Sequence, residues 1–461
     1  MSVSWIPDWA ADLDREAFTL TAAGHEWHGV RPRDWDAVEA GLEQAHRRLR
    51  DLPVRRIVAA VDEAARRWCD RGFPARREFA ANAAVVTGMS VETVDRALDA
   101  EIGTLRAESL LAALERELGD PEVLDGFRGG TTAFGPRTTL AVFSGNVPGL
   151  PGRSLVRALL VKSTVIAKIP AKEPHFAAAF LRTLHEVEPV LADAVIATYW
   201  GRDDTANLDG ALDRSDAVIA YGNDAACGAI RARVRPHQLY EEHGHKLSFG
   251  LVSAGYVEQL GAAAVAAGIA ADCSEYDQHA CLSPQVYLVE ATHAREVARH
   301  LAGAMRQQAE QCPPGVVEGE DAVVLQHRRM LAEWRSASAD AGGVWSSDGL
   351  EWTVVLDDAL LPLSGAGNRV ARVVAVPDLA AAVDLVRPYS NHLQNVGLGA
   401  VGEEFRRTAE ALAGLGVSRV TAPGSMTRAS MVWRHDGRPR IAGLLRWCDV
   451  ELHPELEAVS A

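Results

Sequence analysis

Lysine is nearly missing from this chain: Lys162, Lys168, Lys172 and Lys246 are the only four among 47 basic residues, and three of them fall within eleven positions. Arginine carries almost all the remaining positive charge, which is a matter of composition; the lysine cluster is a local feature. Positive charge is itself in deficit, with 62 acidic residues and a net charge of −15 spread along the chain. That balance speaks against nucleic acid and anionic membranes as partners. Cysteine is sparse: positions 69, 227, 273, 281, 312 and 448 form no CxxC pair, so neither a disulfide framework nor a zinc ribbon is indicated. The longest apolar stretch, near Ala262–Ala271, is far too short to cross a bilayer. The opening residues carry acids where a signal peptide needs an apolar core. A reduced, cytoplasmic, enzyme-like protein is the expectation.

At 461 residues the chain can form two or three domains with sizeable cores. Residues 1–125 read as mostly helical, with apolar positions at helical spacing over Asp51–Arg67 and Val91–Leu118. From Thr138 the texture changes to short β-branched runs alternating with helical segments. Strands are expected at Thr138–Ser144, Thr164–Ile169, Ala194–Tyr199 and Ala217–Tyr221, with helices at Ser154–Val161, His175–Val187 and Asp224–Val234. Such alternation predicts a parallel sheet covered by helices, an α/β fold. Ligands then bind at the carboxyl ends of the strands. A second α/β unit follows from Lys246, with strands at Leu247–Val252, Gln285–Val289, Thr353–Leu356 and Val370–Val376. Helices are expected at Ala294–Gln311 and Glu403–Leu415, and surface loops at Pro313–Glu320 and Ser336–Gly349.

The strand ends carry the chemistry. Phe143-Ser144-Gly145-Asn146-Val147-Pro148-Gly149 closes the first strand. Asn146 there offers an amide donor for an oxyanion, or simply shapes a turn. Lys168 ends the second strand and suits a nucleotide ribose or phosphate; Lys172, four residues on, reads by itself as a surface lysine. Tyr221-Gly222-Asn223-Asp224 opens a helix, where Gly222 permits close approach of backbone and Asn223 or Asp224 can serve as N-cap. No G-x-G-x-x-G lies between 138 and 224, which argues against an ordinary dinucleotide-binding dehydrogenase. His243 and His245 sit in a strand-entry turn without HExxH or paired-Cys spacing, so no metal is expected. Cys281, in Asp277-Gln278-His279-Ala280-Cys281-Leu282-Ser283-Pro284, lies on a short loop between a small-residue helix and a strand. Taken alone, such a thiol is more often core packing than a nucleophile.

Taken together, FSGNVPG (143–149), AKIPAKEP (167–174), IAYGND (219–224), EEHGHKLSFG (241–250) and DQHACLSPQ (277–285) resemble the LuxC-type acyl-CoA reductases, a branch of the aldehyde dehydrogenase superfamily. The resemblance is strongest over 135–290. It implies an aldehyde-dehydrogenase-like architecture: a helical region 1–125 packing on a cofactor domain 126–243, a catalytic domain 244–424, and a segment 425–461 returning to the cofactor domain or an interface. It implies that Cys281 attacks an acyl thioester, that Asn146 and the Cys281 N–H hold the oxyanion, and that Glu242 is the superfamily base. Ser144, Lys168, Lys172, Gly222 and Asn223 would face the cofactor. Members commonly place an acid three residues after the lysine; here that position is Ala171, followed by Lys172. Loss of a carboxylate beside gain of a cation favours the 2′-phosphate of NADPH. No clean E-x-F-G-P motif marks the C-terminal half, so the group gripping the nicotinamide ribose is unassigned.

The activity implied is NADPH-dependent reduction of an acyl thioester, on CoA or a carrier protein, to an aldehyde. Two rivals stand beside it: an aldehyde dehydrogenase working oxidatively, and an acyl-transfer subunit with no redox step. A homo-oligomer is expected, and a partner acyl-protein synthetase, which supplies the acyl group to some members, is open to this chain.

Overall fold

The computed structural model describes residues 2–317, 319–338, 342–357 and 367–451. The first 125 residues are mainly helical, with one departure. Arg15–Ala22 (β1) and His25–Pro32 (β2) form an antiparallel hairpin, whose two-residue turn, Ala23-Gly24, has positive φ at both positions, as a tight hairpin requires. Sequence reading missed it because half of its strand residues are polar. The helices are α1 (Trp35–Asp51), α2 (Val54–Cys69), α3 (Pro74–Thr87), α4 (Val91–Ile102) and α5 (Ala107–Leu118). α2 turns Val54, Ile57, Val61, Ala64 and Trp68 inward, the i, i+3, i+7 stripe its periodicity predicts. The helical run expected over Val91–Leu118 is broken at Gly103–Leu105, which leaves Glu101 at the end of α4.

After β3 (Thr131–Phe134), a first sheet is built from β4 (Thr138–Val142), β5 (Thr164–Lys168), β6 (Val195–Thr198), β7 (Ala217–Tyr221) and β8 (Leu239–His243), all parallel, in the order β6-β5-β4-β7-β8. Its central strands are buried on both faces, as helices on either side of a parallel sheet demand. The covering helices include α6 (Leu150–Leu160) and α7 (Phe176–Val187), with α8 (Pro189–Asp193), α9 (Thr205–Asp213) and α10 (Asp224–Arg231) completing the crossovers. The order reverses at β4, so the loops after β4, β5 and β7 open on one crevice. β8 corrects the sequence reading: Glu241-Glu242-His243 is an edge strand paired with β7, with Glu241 opposite Ile219 and Glu242 opposite Ala220, and not an entry turn.

The second sheet comprises β9 (Leu247–Val252), β10 (Pro284–Glu290), β11 (Gly343–Ser346), β12 (Thr353–Asp357), β13 (Val370–Val376), β14 (Leu393–Gly399) and β15 (Arg419–Thr421), in the order β11-β12-β13-β10-β9-β14-β15. Only β11 is antiparallel. Helices α11 (Ala254–Leu260), α12 (Ala262–Ser274) and α13 (Ala291–Gln311) cover one face. A helix at Gly319–Ser338 joins the two expected loops and takes residues from the end of the first and the start of the second, and β11 lies within the second; residues 318 and 339–341 of those expected loops lie outside the described residues. The last strand among the described residues, β16 (Arg446–Asp449), pairs antiparallel with β3, so residues 446–449 meet the segment leading into the first sheet. Residues 452–461 of the expected C-terminal stretch lie outside the described residues. No single helix among the described residues is long and apolar enough to cross a membrane.

Candidate active site

Cys281 is reached through a backbone that ordinary residues avoid. Tyr276, Asp277 and Gln278 all adopt positive φ, at 55°, 47° and 65°. Left-handed geometry costs about 1–2 kcal/mol per non-glycine residue, and it persists only where surroundings over-determine it. Here they do. The buried Arg369 pairs through Nε with Asp277 Oδ1 at 2.7 Å and donates to the Cys312 carbonyl. Gly315 N–H donates to Asp277 Oδ2, and Asn368 N–H to the Asp277 carbonyl. Gln278 donates from Nε2 to the Pro284 and Val370 carbonyls, and the Tyr276 hydroxyl reaches Glu101 at 3.1 Å. Beyond the turn, Ser248 Oγ donates to the Cys281 carbonyl at 2.7 Å and Asn395 Nδ2 to the Leu282 carbonyl at 3.1 Å.

The thiol is solvent-accessible, yet burial, followed by the negative charges of Asp436 and Glu101, pushes it up to about 12. Residue 281 is thus exposed while its thiol stands against dense packing. The N–H groups of Cys281 and Leu282 pull the other way and form a short donor pair beside the sulfur. Asn146 Nδ2 donates to the His279 carbonyl at 3.1 Å, two residues from the thiol. The structure thus brings Asn146 to the Cys281 loop. Gly145 before it is tightly wedged: a Cβ there would meet Lys172 Cβ and Glu173 N at 2.9 Å. Gly145, Asn146, Lys172 and His279 line one cavity of about 520 Å³.

Lys168 ends β5 with its ammonium 5.6 Å from the Tyr199 ring and 5.9 Å from the Trp200 ring. Burial and the nearby Arg202 lower it to about 8, and no carboxylate pairs with it among the described residues. Ser144 is half-buried beside it at the end of β4. The Asn223 side chain caps α10, accepting from Ala226 N–H at 2.9 Å; Gly222 N–H donates to the His243 carbonyl. Both lie at the sheet mouth, with the Asn223 amide oxygen committed to its helix.

β8 separates its two glutamates. Adjacent strand residues point to opposite faces, and Glu242 pairs with Arg231 of α10 at 2.5 Å while Glu241 pairs with the buried Arg157 of α6 at 2.7 Å. His243 shares Glu241's face; its Nε2 meets Glu241 Oε1 and its Nδ1 meets Asp436 Oδ2, each at 2.8 Å. Burial pushes Glu241 upward, but Arg157 and His243 outweigh it and hold its carboxyl down to about 2. Asp436, itself at φ 54°, also accepts from Gln394 Nε2. Asp436 and Glu101 are therefore the carboxylates whose charge reaches Cys281, and neither was singled out in the sequence. Only their folding partners, far along the chain, mark them. His243, His435 and Asp436 place ligand-type atoms within 4.8 Å of one another. The two rings, however, stack at 4.1 Å and 18°, so their in-plane lone pairs run side by side instead of converging as a metal requires.

The whole arrangement lies inside a stretch with recognised relatives: residues 49–447 match the model for acyl-CoA reductase (LuxC). The chain belongs to that family. A long-chain acyl-protein thioester reductase of Vibrio harveyi is 22% identical over 414 residues, covering 88% of this LuxC-family chain and 84% of that one. Another, from Photobacterium leiognathi, is 30% identical over 147 residues, 31% of this chain and 30% of its own length. Among solved structures, an oxidoreductase from Marinobacter aquaeolei superposes with TM-score 0.71 at 11% identity, covering 98% of this chain and 97% of its own. Aldehyde dehydrogenase 21 of Physcomitrella patens gives 0.68 at 15%, covering 96% of each. The fold is aldehyde-dehydrogenase-like.

Proposed function

We propose that this LuxC-family protein reduces an acyl thioester to an aldehyde through an acyl-enzyme on Cys281, with NADPH as reductant. The observation that carries the reading is the Cys281 loop itself: an accessible thiol beside its own and Leu282's N–H groups, with the Asn146 amide two residues away. The names of the Vibrio and Photobacterium relatives support the same reaction class. Cys281 Sγ adds to the thioester carbonyl, and the carbonyl oxygen takes up negative charge. The Asn146 amide and the Cys281 N–H bear on that oxygen, each donor worth about 3 kcal/mol. Collapse expels the carrier thiol and leaves the acyl group on Cys281. With its thiol pushed up to about 12, Cys281 loses its proton as it attacks; it does not rest as thiolate.

A nicotinamide cofactor would supply the hydride that converts the acyl group to the aldehyde level. The residues present fit one: Lys168 is desolvated and pairs with no carboxylate among the described residues, and Ser144, Gly222 and Asn223 follow the neighbouring strand ends of the same sheet. Ala171 is half-buried and Lys172 exposed, so a 2′-phosphate would meet a lysine beside the position where the superfamily commonly has an acid, which supports NADPH over NADH. Glu242, engaged with Arg231 across the strand from Glu241, supports no hydrolytic step, and this favours reduction over the oxidative rival. Soluble reactants, cytoplasmic location and a homo-oligomer remain part of this reading. The test follows NADPH oxidation with a panel of acyl-CoAs in wild type and Cys281→Ala, with mass spectrometry of the wild type lacking NADPH. An acyl adduct on Cys281 is expected. Undiminished turnover in the variant would sink the reading.

A further inference from the structure

One buried carboxyl beside the first-sheet wall plays no part in the chemistry described so far. Glu173 is 2% exposed and lies in the turn between β5 and α7, directly after Ala171 and Lys172. Its Oε1 accepts from His175 N–H at 2.9 Å and from Phe176 N–H at 3.1 Å. Its Oε2 has no hydrogen-bond partner among the described residues. Burial pushes the carboxyl up to about 8, although those two N–H groups pull against it, so at neutral pH it is held as the acid. A helix start is satisfied by a short Ser, Asn or Asp. A long, buried carboxyl with one oxygen unpartnered therefore asks for a further reason.

That reason lies in what the turn touches. Phe176, fully buried against Trp68, Phe79 and Phe180, makes the start of α7 a fixed point. Glu173 ties the turn to it. On the turn's other side, Gly145 lies so close that a Cβ there would meet Lys172 Cβ and Glu173 N at 2.9 Å. Asn146 follows Gly145 in the chain and donates to the His279 carbonyl at 3.1 Å. A single turn thus carries Lys172 and supports the loop that holds Asn146. Trp27 of the β1–β2 hairpin packs on the same turn, meeting the His175 ring edge-on at 4.3 Å.

We propose that Glu173 is a positioning residue that sets Lys172 and Asn146 together, through the turn it anchors to α7. The proposal rests on the thioester-reductase reading above and adds a link between cofactor preference and oxyanion stabilisation. Glutamine keeps an acceptor oxygen at the same reach, and alanine removes it.

The test compares wild type, Glu173→Gln and Glu173→Ala by kcat for acyl-CoA reduction. A second readout, with no acyl substrate present, is fluorescence titration with NADPH and with NADH. Glu173→Ala should lower kcat about tenfold, because a small misplacement of the Asn146 donor is enough for that. It should also shrink the affinity ratio of NADPH over NADH about fivefold as Lys172 moves from the phosphate. Glu173→Gln should stay within about twofold of wild type on both readouts. A merely structural role would give losses that add. Here Glu173→Ala should cause no further loss of kcat in an Asn146→Ala background, and no further loss of the ratio in a Lys172→Ala background. Gly145→Ala presses on the same turn from the other side and should reproduce both losses, which keeps the test decisive if Glu173→Ala does not fold. Additive losses in either background, losses in Glu173→Gln as deep as in Glu173→Ala, or unchanged readouts in Gly145→Ala would overturn the proposal. A wild type that neither oxidises NADPH nor acylates Cys281 would strike the reductase reading instead, and the fluorescence ratios would still decide the Lys172 half of this one.

Discussion

The two walls of the cleft are made differently. The first-sheet wall, carrying Lys168, Ser144 and Gly222, consists of regular parallel strand ends whose positions follow from local alternation of strand and helix. The thiol wall is a three-residue left-handed turn held by Arg369, Gly315, Asn368 and Glu101, groups drawn from segments up to 175 residues away. One wall is a product of periodicity, the other of long-range ties. The former should tolerate substitution with a change of ligand preference; the latter should fail in stability or chemistry when a single tie is cut.

The largest effect should come from Cys281→Ala, which removes the acylated atom; turnover is expected to fall by at least about a thousandfold, read as NADPH oxidation with acyl-CoA. Arg369→Met leaves the Asp277 carboxylate buried beside no cation. Breaking a buried pair costs about 3–5 kcal/mol, so chemical denaturation should show a loss of that order, while Lys172→Ala on the other wall should leave stability within about 0.5 kcal/mol. Equal losses at the two sites would dissolve the contrast between the walls. Asn146→Ala should lower kcat by about a hundredfold or more with little change in KM, the signature of a donor used in the transition state.

Smaller effects sharpen the electrostatics. Ala171→Glu should shift the ratio of kcat/KM for NADPH over NADH downward by about tenfold, since it returns a carboxylate to face the phosphate. Asp436→Asn should speed alkylation of Cys281 by iodoacetamide a few-fold at neutral pH. The sign is fixed: Asp436 raises the thiol, so its removal lowers it and enlarges the thiolate fraction. In wild type, the alkylation rate should climb about tenfold per pH unit between 7 and 9, since that whole range lies below the thiol's value of about 12. A plateau near pH 8 would mean an activating base acts in the free protein.

Much of the site was legible because it sits at strand ends. Asn146 and Lys168 close runs whose β-branched alternation is plain, Cys281 precedes another, and β7, β9 and β13 begin and end where the sequence places them. The EEHGHK segment shows where that legibility stops. The motif singles out Glu242 but not what either glutamate meets; as edge strand β8 they face opposite ways, and one residue of register separates Arg157 from Arg231 as partner. The hairpin β1–β2 and the helix at Gly319–Ser338 were missed for a related reason, since exposed residues on both elements weaken the apolar pattern.

The sequence by itself determined the α/β alternation, the order of the chemical residues along it and the family. Periodicity is local, and a family's motifs are short, so both survive in one dimension. Only the tertiary structure decided which charges reach the thiol, since Glu101 and Asp436 lie 180 residues before and 155 after Cys281 in the chain. It also decided which glutamate of β8 faces Arg157. Those facts depend on distances across the folded chain, and hydrophobic burial sets those distances without leaving any local mark.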